Sequence, residues 1–119
     1  MHKILVVDDD KDIVYMIQTT LEKSGFEVMT ASNGEQALKV LKSAVPDLMI
    51  VDLTMPDMDG WRLSMKVREN ESCKNIPIIV LSGLLAQEES KPSPGEPYNL
   101  LIAKPFDILK LIDRVKELL

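Results

Sequence analysis

The chain has 119 residues, the length of one ordinary domain, and is read as a single unit over residues 1–119. Hydrophobic residues make up 45% and charged residues 28%, enough apolar surface to build a core. A net charge of −5 argues against nucleic-acid binding by this segment, because phosphate contact needs clustered Lys and Arg. Cys73 is the one cysteine, which rules out an internal disulfide and a Cys-based zinc cluster and fits a reduced thiol in a cytoplasmic setting. The apolar run behind Met1-His2-Lys3 is too short for a signal peptide or a membrane span, so no membrane association is expected.

Lys3–Val7 is a short run rich in branched residues and reads as a buried strand. Lys11–Lys23 carries Ile13, Val14, Ile17 and Leu21 at helical spacing, and Gly25 supplies a stop. Phe26–Thr30 is the second predicted strand. Asn33 followed by Gln36 resembles a capping box ahead of the helical face Ala37, Leu38, Leu41 and Ala44, and Pro46 closes that helix. Leu48–Val51 is the third strand. Gly60–Asn70 is a third helix, with Leu63 and Val67 turned inward. Ile76–Leu81 is the fourth strand, with Pro77 near its start, where a missing N–H is tolerated. Lys91–Pro97 holds three prolines and a glycine, so a loop is expected where a fourth helix would otherwise lie, with one or two helical turns at most within Leu84–Ser90. Leu100–Ala103 is the fifth strand, and Ile108, Leu111, Ile112, Val115 and Leu119 mark a last helix. Strands alternating with helices imply an α/β fold with a parallel sheet covered on both faces.

Ligands in such folds bind beyond the carboxyl ends of the strands. There the chain places Asp8, Asp9 and Asp10 after the first strand, Asp52 after the third, Ser82 after the fourth and Lys104 after the fifth. Taken singly, these residues have ordinary explanations. Asp10 reads as a helix N-cap, Ser82 as a turn residue and Lys104 as a solvated lysine. Asp8 and Asp9 fit capping and metal binding equally well. Asp57 and Asp59 belong to a turn before Gly60, His2 is an exposed terminal residue, and Met55 and Met58 fill space. Joint placement changes the weighting. Several carboxylates at one sheet edge repel one another unless protonated or neutralised, and a hard cation such as Mg²⁺ suits them. A carboxylate flanked by a metal, an ammonium and a hydroxyl fits phosphoryl transfer to Asp52.

Four segments, in order, resemble the signatures of response-regulator receiver domains: Val6-Val7-Asp8-Asp9-Asp10, Val51-Asp52-Leu53-Thr54-Met55-Pro56-Asp57-Met58-Asp59-Gly60, Leu81-Ser82-Gly83 and Lys104-Pro105-Phe106. The resemblance spans essentially the whole chain and implies a flavodoxin-like, doubly wound, five-stranded parallel sheet in the order 2-1-3-4-5. It implies that Asp52 is the phosphoacceptor in a two-component phosphorelay. Asp8, Asp9 and Asp52, with the backbone carbonyl of Thr54, would hold Mg²⁺, with Mn²⁺ as a substitute. Ser82 would bond the phosphoryl group and Lys104 would pair with it, the Lys104–Pro105 peptide being cis. The donor would be a phosphohistidine on a sensor histidine kinase or a phosphotransfer protein, and the phosphorylated form would switch binding to a downstream target. Leu84 is placed to hinder an attacking water. The chain departs from the family at Leu101, where receivers commonly carry Tyr or Phe, and in the proline-rich loop. Both departures imply a non-standard output face and a monomer or weak dimer rather than the family's usual dimer.

Two other functions compete. An aspartyl-nucleophile phosphatase of the haloacid-dehalogenase type would need a second acid where Thr54 stands. An unphosphorylated pseudo-receiver, serving only as an interaction module, would have lost a site residue, and none is lost. A turnover enzyme acting on small substrates is therefore not expected.

Overall fold

Apolar runs of four or five residues pair side by side in a computed structural model of the protein, which describes residues 1–83 and 87–119. In chain order the elements are β1 (Lys3–Val7), α1 (Lys11–Lys23), β2 (Glu27–Ala31), α2 (Gly34–Ser43), β3 (Leu48–Asp52), α3 (Gly60–Glu69), β4 (Ile78–Ser82), β5 (Glu89–Ser90), β6 (Leu100–Ala103) and α4 (Ile108–Leu118). They form one sheet in the order β2-β1-β3-β4-β6-β5. The first five of these strands run parallel, and β5 joins the edge antiparallel to β6. The expected parallel order is present, with one strand added.

The strands look uniformly apolar because both sheet faces are covered. Ile4 and Val6 of β1 belong to a cluster with Ile17 and Leu21 of α1 and Leu111, Ile112 and Val115 of α4. Leu5 and Val7 point the other way, into a cluster with Ala37 and Leu41 of α2 and Leu63 and Val67 of α3. A period-two strand buried on both sides loses its polar alternation, which is the mark of a parallel sheet between helix layers.

Local chemistry sets the helix ends. Asp10 caps α1, its carboxylate accepting from the N–H groups of Asp12 and Ile13 at 3.0 and 3.3 Å. Asn33 accepts from Gln36 N at 2.8 Å, but the Gln36 side chain accepts from Ser32 N rather than Asn33 N, so the capping box closes one residue early. Asp59 caps α3 and Asp107 caps α4.

The boundary of β4 differs from its reading: the strand runs Ile78–Ser82 rather than Ile76–Leu81. Pro77 has no N–H to donate, and the Ile76 N–H turns back to the Cys73 carbonyl at 3.3 Å. Among the described residues no helix lies between β4 and β6. The expected one or two turns within Leu84–Ser90 fall partly on residues 84–86, outside the described residues, as does Leu84; Glu89–Ser90 is strand. The proline-rich loop instead folds onto α3. The Trp61 indole donates to Glu96 at 2.7 Å, and the Arg68 guanidinium donates to the carbonyls of Pro97, Lys74 and Ile76 and to the Asn99 side chain at 2.6–3.0 Å. One charged group thus supplies the hydrogen bonds that an irregular segment cannot make to itself. No described helix is long and apolar enough to cross a membrane.

Candidate functional site

The carboxyl ends of β1, β3, β4 and β6 bring the predicted residues together. Asp8 follows β1, Asp52 ends β3, Ser82 ends β4 and Lys104 follows β6. Asp8 and Asp52 are 2% and 5% exposed, and Ser82 is 2% exposed. Asp9 is exposed, as is Thr54, which lies in the loop between β3 and α3. Oxygens of Asp8, Asp9 and Asp52 all lie within 4.8 Å of one another. Asp10, by contrast, faces its own helix as a cap, in keeping with its single-residue reading.

Lys104 supplies the opposing charge. Its Nζ sits 3.1 Å from Asp8 Oδ2 and 3.1 Å from Asp52 Oδ1. Its backbone N–H donates to the Ser82 carbonyl at 2.8 Å, which ties the end of β6 to the end of β4. The peptide bond from Lys104 to Pro105 is cis, matching the family pattern.

The electrostatics follow from burial. Desolvation pushes the Asp8 carboxyl above the ordinary carboxylate value; the Asp10 N–H bonded to it at 2.9 Å opposes that shift, the neighbouring Asp52 charge adds to it, and Lys104 opposes it. Burial works against the charge on Lys104, but hydrogen bonds and charge from Asp52 and Asp8 together outweigh it, so the ammonium is held above its ordinary pKa. Three carboxylates and one ammonium leave two negative charges in a largely buried recess. That is the charge of one divalent cation, and the donor set is all oxygen, as Mg²⁺ requires.

Two backbone features frame Asp52. Gly60 N donates to the Leu53 carbonyl at 2.8 Å, and a Cβ at Gly60 would lie 2.4 Å from the Asp52 carbonyl oxygen, so only glycine lets α3 start this close to β3. Asp57 takes φ 71° at the centre of a tight turn, with Met58 N bonded to the Pro56 carbonyl at 2.8 Å. Met55 is buried and Met58 packs against the same core cluster, so both fill space. His2 is exposed. Sequence reasoning did not single out Arg68, Glu88 or Glu89. An arginine late in an amphipathic helix and two acids before a proline-rich stretch carry no local signal of the contacts they make.

The chain belongs to the response regulator receiver domain family of two-component systems: the family's model matches residues 4–116. Chemotaxis protein CheY4 of Vibrio cholerae has a structure similar to it, with TM-score 0.84 and 31% identity over 100% of this chain and 99% of that one. So does the response regulator TrrA of Thermotoga maritima, solved in complex with Mg²⁺-BeF, with TM-score 0.84 and 33% identity over 100% of both chains. The transcriptional regulatory protein PhoP of Bacillus subtilis is 37% identical over 98% of this chain, which spans 48% of PhoP. An uncharacterised 14.6 kDa protein of Leptolyngbya boryana is 36% identical, covering 96% of this chain and 87% of its own length.

Proposed function

We propose that residues 1–119 form one receiver domain in which Asp52 takes a phosphoryl group from a phosphohistidine on a sensor histidine kinase or phosphotransfer protein. The observation that carries this reading is the position of the Lys104 ammonium, 3.1 Å from both Asp52 and Asp8 at the rim of an acidic cluster that can hold a divalent cation. Asp8, Asp9, Asp52 and the Thr54 carbonyl are the residues that would hold Mg²⁺. When bound, the ion neutralises charge on the incoming phosphoryl oxygens. An oxygen of Asp52 attacks phosphorus, the bond from phosphorus to the donor imidazole nitrogen breaks, and the donor ring, already protonated on its other nitrogen, leaves with the bonding pair as neutral imidazole. Lys104 then exchanges its contact with the Asp52 carboxylate for a phosphoryl oxygen, and the Ser82 hydroxyl donates to another. Positioning and charge neutralisation supply the rate. The phosphoryl group is later lost to water, and the two states differ in partner binding. That TrrA was solved in complex with Mg²⁺-BeF supports, by similarity, a site for Mg²⁺.

The test is a small-molecule phosphodonor assay in Mg²⁺. Wild type is expected to gain acid-stable, base-labile phosphate and Asp52→Asn none. Failure of the wild type to take up label, with Mg²⁺ present, sinks the reading.

A further inference from the structure

The added strand sits next to the site. Glu89 and Ser90 pair with Ile102 and Leu101, and the Ala103 N–H extends the ladder to the Glu88 carbonyl at 2.9 Å. The next N–H, that of Lys104, donates in the opposite direction, to the Ser82 carbonyl at 2.8 Å. The backbone that delivers the Lys104 ammonium is therefore gripped by β5 and β4 at consecutive residues.

A ladder this short does not hold itself, and Pro92, which lacks an N–H, stops it from growing. Side chains from α4 hold it. Arg114 Nε donates to both carboxylate oxygens of Glu89 at 3.0 and 2.9 Å, the two side chains being 31% and 29% exposed. Nη1 of the same guanidinium donates to Glu117 at 3.0 Å. A second pair, Lys110 with Glu88, is longer at 3.3 Å and its side chains are 55% and 82% exposed, so salt screens it. The Arg114–Glu89 contact carries most of the grip.

We infer that Arg114 and Glu89 are positioning residues for Lys104: they clasp β5 to α4, β5 holds the end of β6, and the end of β6 sets where the ammonium sits. The chemical half of this inference rests on Asp52 being the phosphoacceptor; the structural half does not. The clasp occupies the sheet edge where, among the described residues, no helix lies between β4 and β6.

The experiment compares wild type with Glu89→Gln, Arg114→Gln and the reversed pair Glu89→Arg/Arg114→Glu. Amide exchange at Ala103 and Lys104 is followed by NMR, and phosphorylation by acetyl phosphate is timed in saturating Mg²⁺. Val28→Ala, on the opposite edge strand, is the control for general loss of stability. Each single change is expected to speed exchange at Ala103 and Lys104 by about two- to fivefold, the range one partly exposed ion pair supports. Phosphorylation should slow by a similar factor, and the reversed pair should restore both. Unchanged exchange at Ala103 and Lys104 overturns the inference, as does faster exchange with an unchanged phosphorylation rate, or equal slowing in Val28→Ala. If wild type takes no phosphate, the proposed function fails, and exchange at Ala103 and Lys104 in the variants still decides the clasp.

Discussion

Replacing Gly60 by alanine probes how tightly α3 is set against β3, the strand that ends in Asp52. The new Cβ would lie 2.4 Å from the Asp52 carbonyl oxygen and 3.0 Å from both Asp52 C and Leu53 Cα. All three atoms are backbone, so no side-chain rotation relieves the contact, and the helix start or the end of β3 must move by at least about half an ångström. Overpacking of this kind costs about 1–3 kcal/mol. The unfolded chain loses freedom when glycine becomes alanine, which returns about 0.4–1 kcal/mol. The net loss expected is about 1–2 kcal/mol, read as a lower urea midpoint with an unchanged slope. Because the displaced atom is the backbone of Asp52, phosphorylation by acetyl phosphate should slow by about tenfold, since an ångström of misplacement at a reacting centre can cost a hundredfold. Gly34→Ala is the matched control. Its Cβ would meet the Met58 side chain, with Sδ at 2.7 Å and Cβ and Cγ at 3.1 Å; the thioether can swing aside, and Met58 Cβ, in the loop before α3, need give by only a few tenths of an ångström. That variant should stay within about 0.5 kcal/mol of wild type and phosphorylate normally. Equal stability and equal rate for Gly60→Ala and Gly34→Ala would refute the reasoning.

Lys104→Met leaves Asp8 and Asp52 facing each other without their ammonium, and because Lys104 is 22% exposed the loss is expected at about 1–3 kcal/mol rather than the full cost of orphaning a buried charge. Mg²⁺ should stabilise this variant more than it stabilises wild type, and equal Mg²⁺-induced shifts in the urea midpoint would contradict that. Arg68→Ala removes donors to Pro97, Lys74, Ile76 and Asn99 and should cost about 2–4 kcal/mol, with faster amide exchange at Asn99; a loss under about 1 kcal/mol would show the network to be slack. Burial raises the pKa of the Cys73 thiol, against the weaker opposing pull of Arg68. Above the ordinary value of 9.0 the unfolded thiol ionises while the folded one stays neutral, so the unfolded state binds fewer protons and stability falls as pH rises past that point. Urea midpoints taken from pH 8 to 10 should therefore fall more steeply for wild type than for Cys73→Ala, and parallel curves would count against the burial argument.

What was legible in the chain, and what was not, separates along a physical line. β1, β3 and β4 were legible because branched residues in short runs report burial on both faces, and the acids and lysine that end those runs converge once the strands lie parallel. The site therefore follows from topology plus four local motifs. Only its long-range supports are missing from that reading. Arg68 is the next-to-last residue of α3, and nothing local distinguishes it from Lys66 in the same last turn; its role appears only when the loops reach it from Lys74, Ile76 and Pro97. Glu89-Ser90 has neither length nor β-branched residues, so no propensity marks it as a strand. It becomes one because β6 offers an unpaired edge and a helix cannot form across Pro92, Pro94 and Pro97.

The same line explains why Leu101 is compatible with an intact site. In the fold, Leu101 pairs with Ser90 on one side and Val80 on the other, and its side chain packs with Tyr98 against the cluster beneath α2 and α3. The position that receivers commonly fill with a ring is here held by backbone on both sides, while the nearest ring, that of Tyr98, lies three residues earlier and half-buried. Leu101 thus sits in a strand paired on both sides, with no rotatable aromatic at that position. The neighbouring element whose hold depends on partly exposed ion pairs is β5, at the sheet edge beside Lys104, so local opening there is expected to cost less than opening of the doubly paired strands.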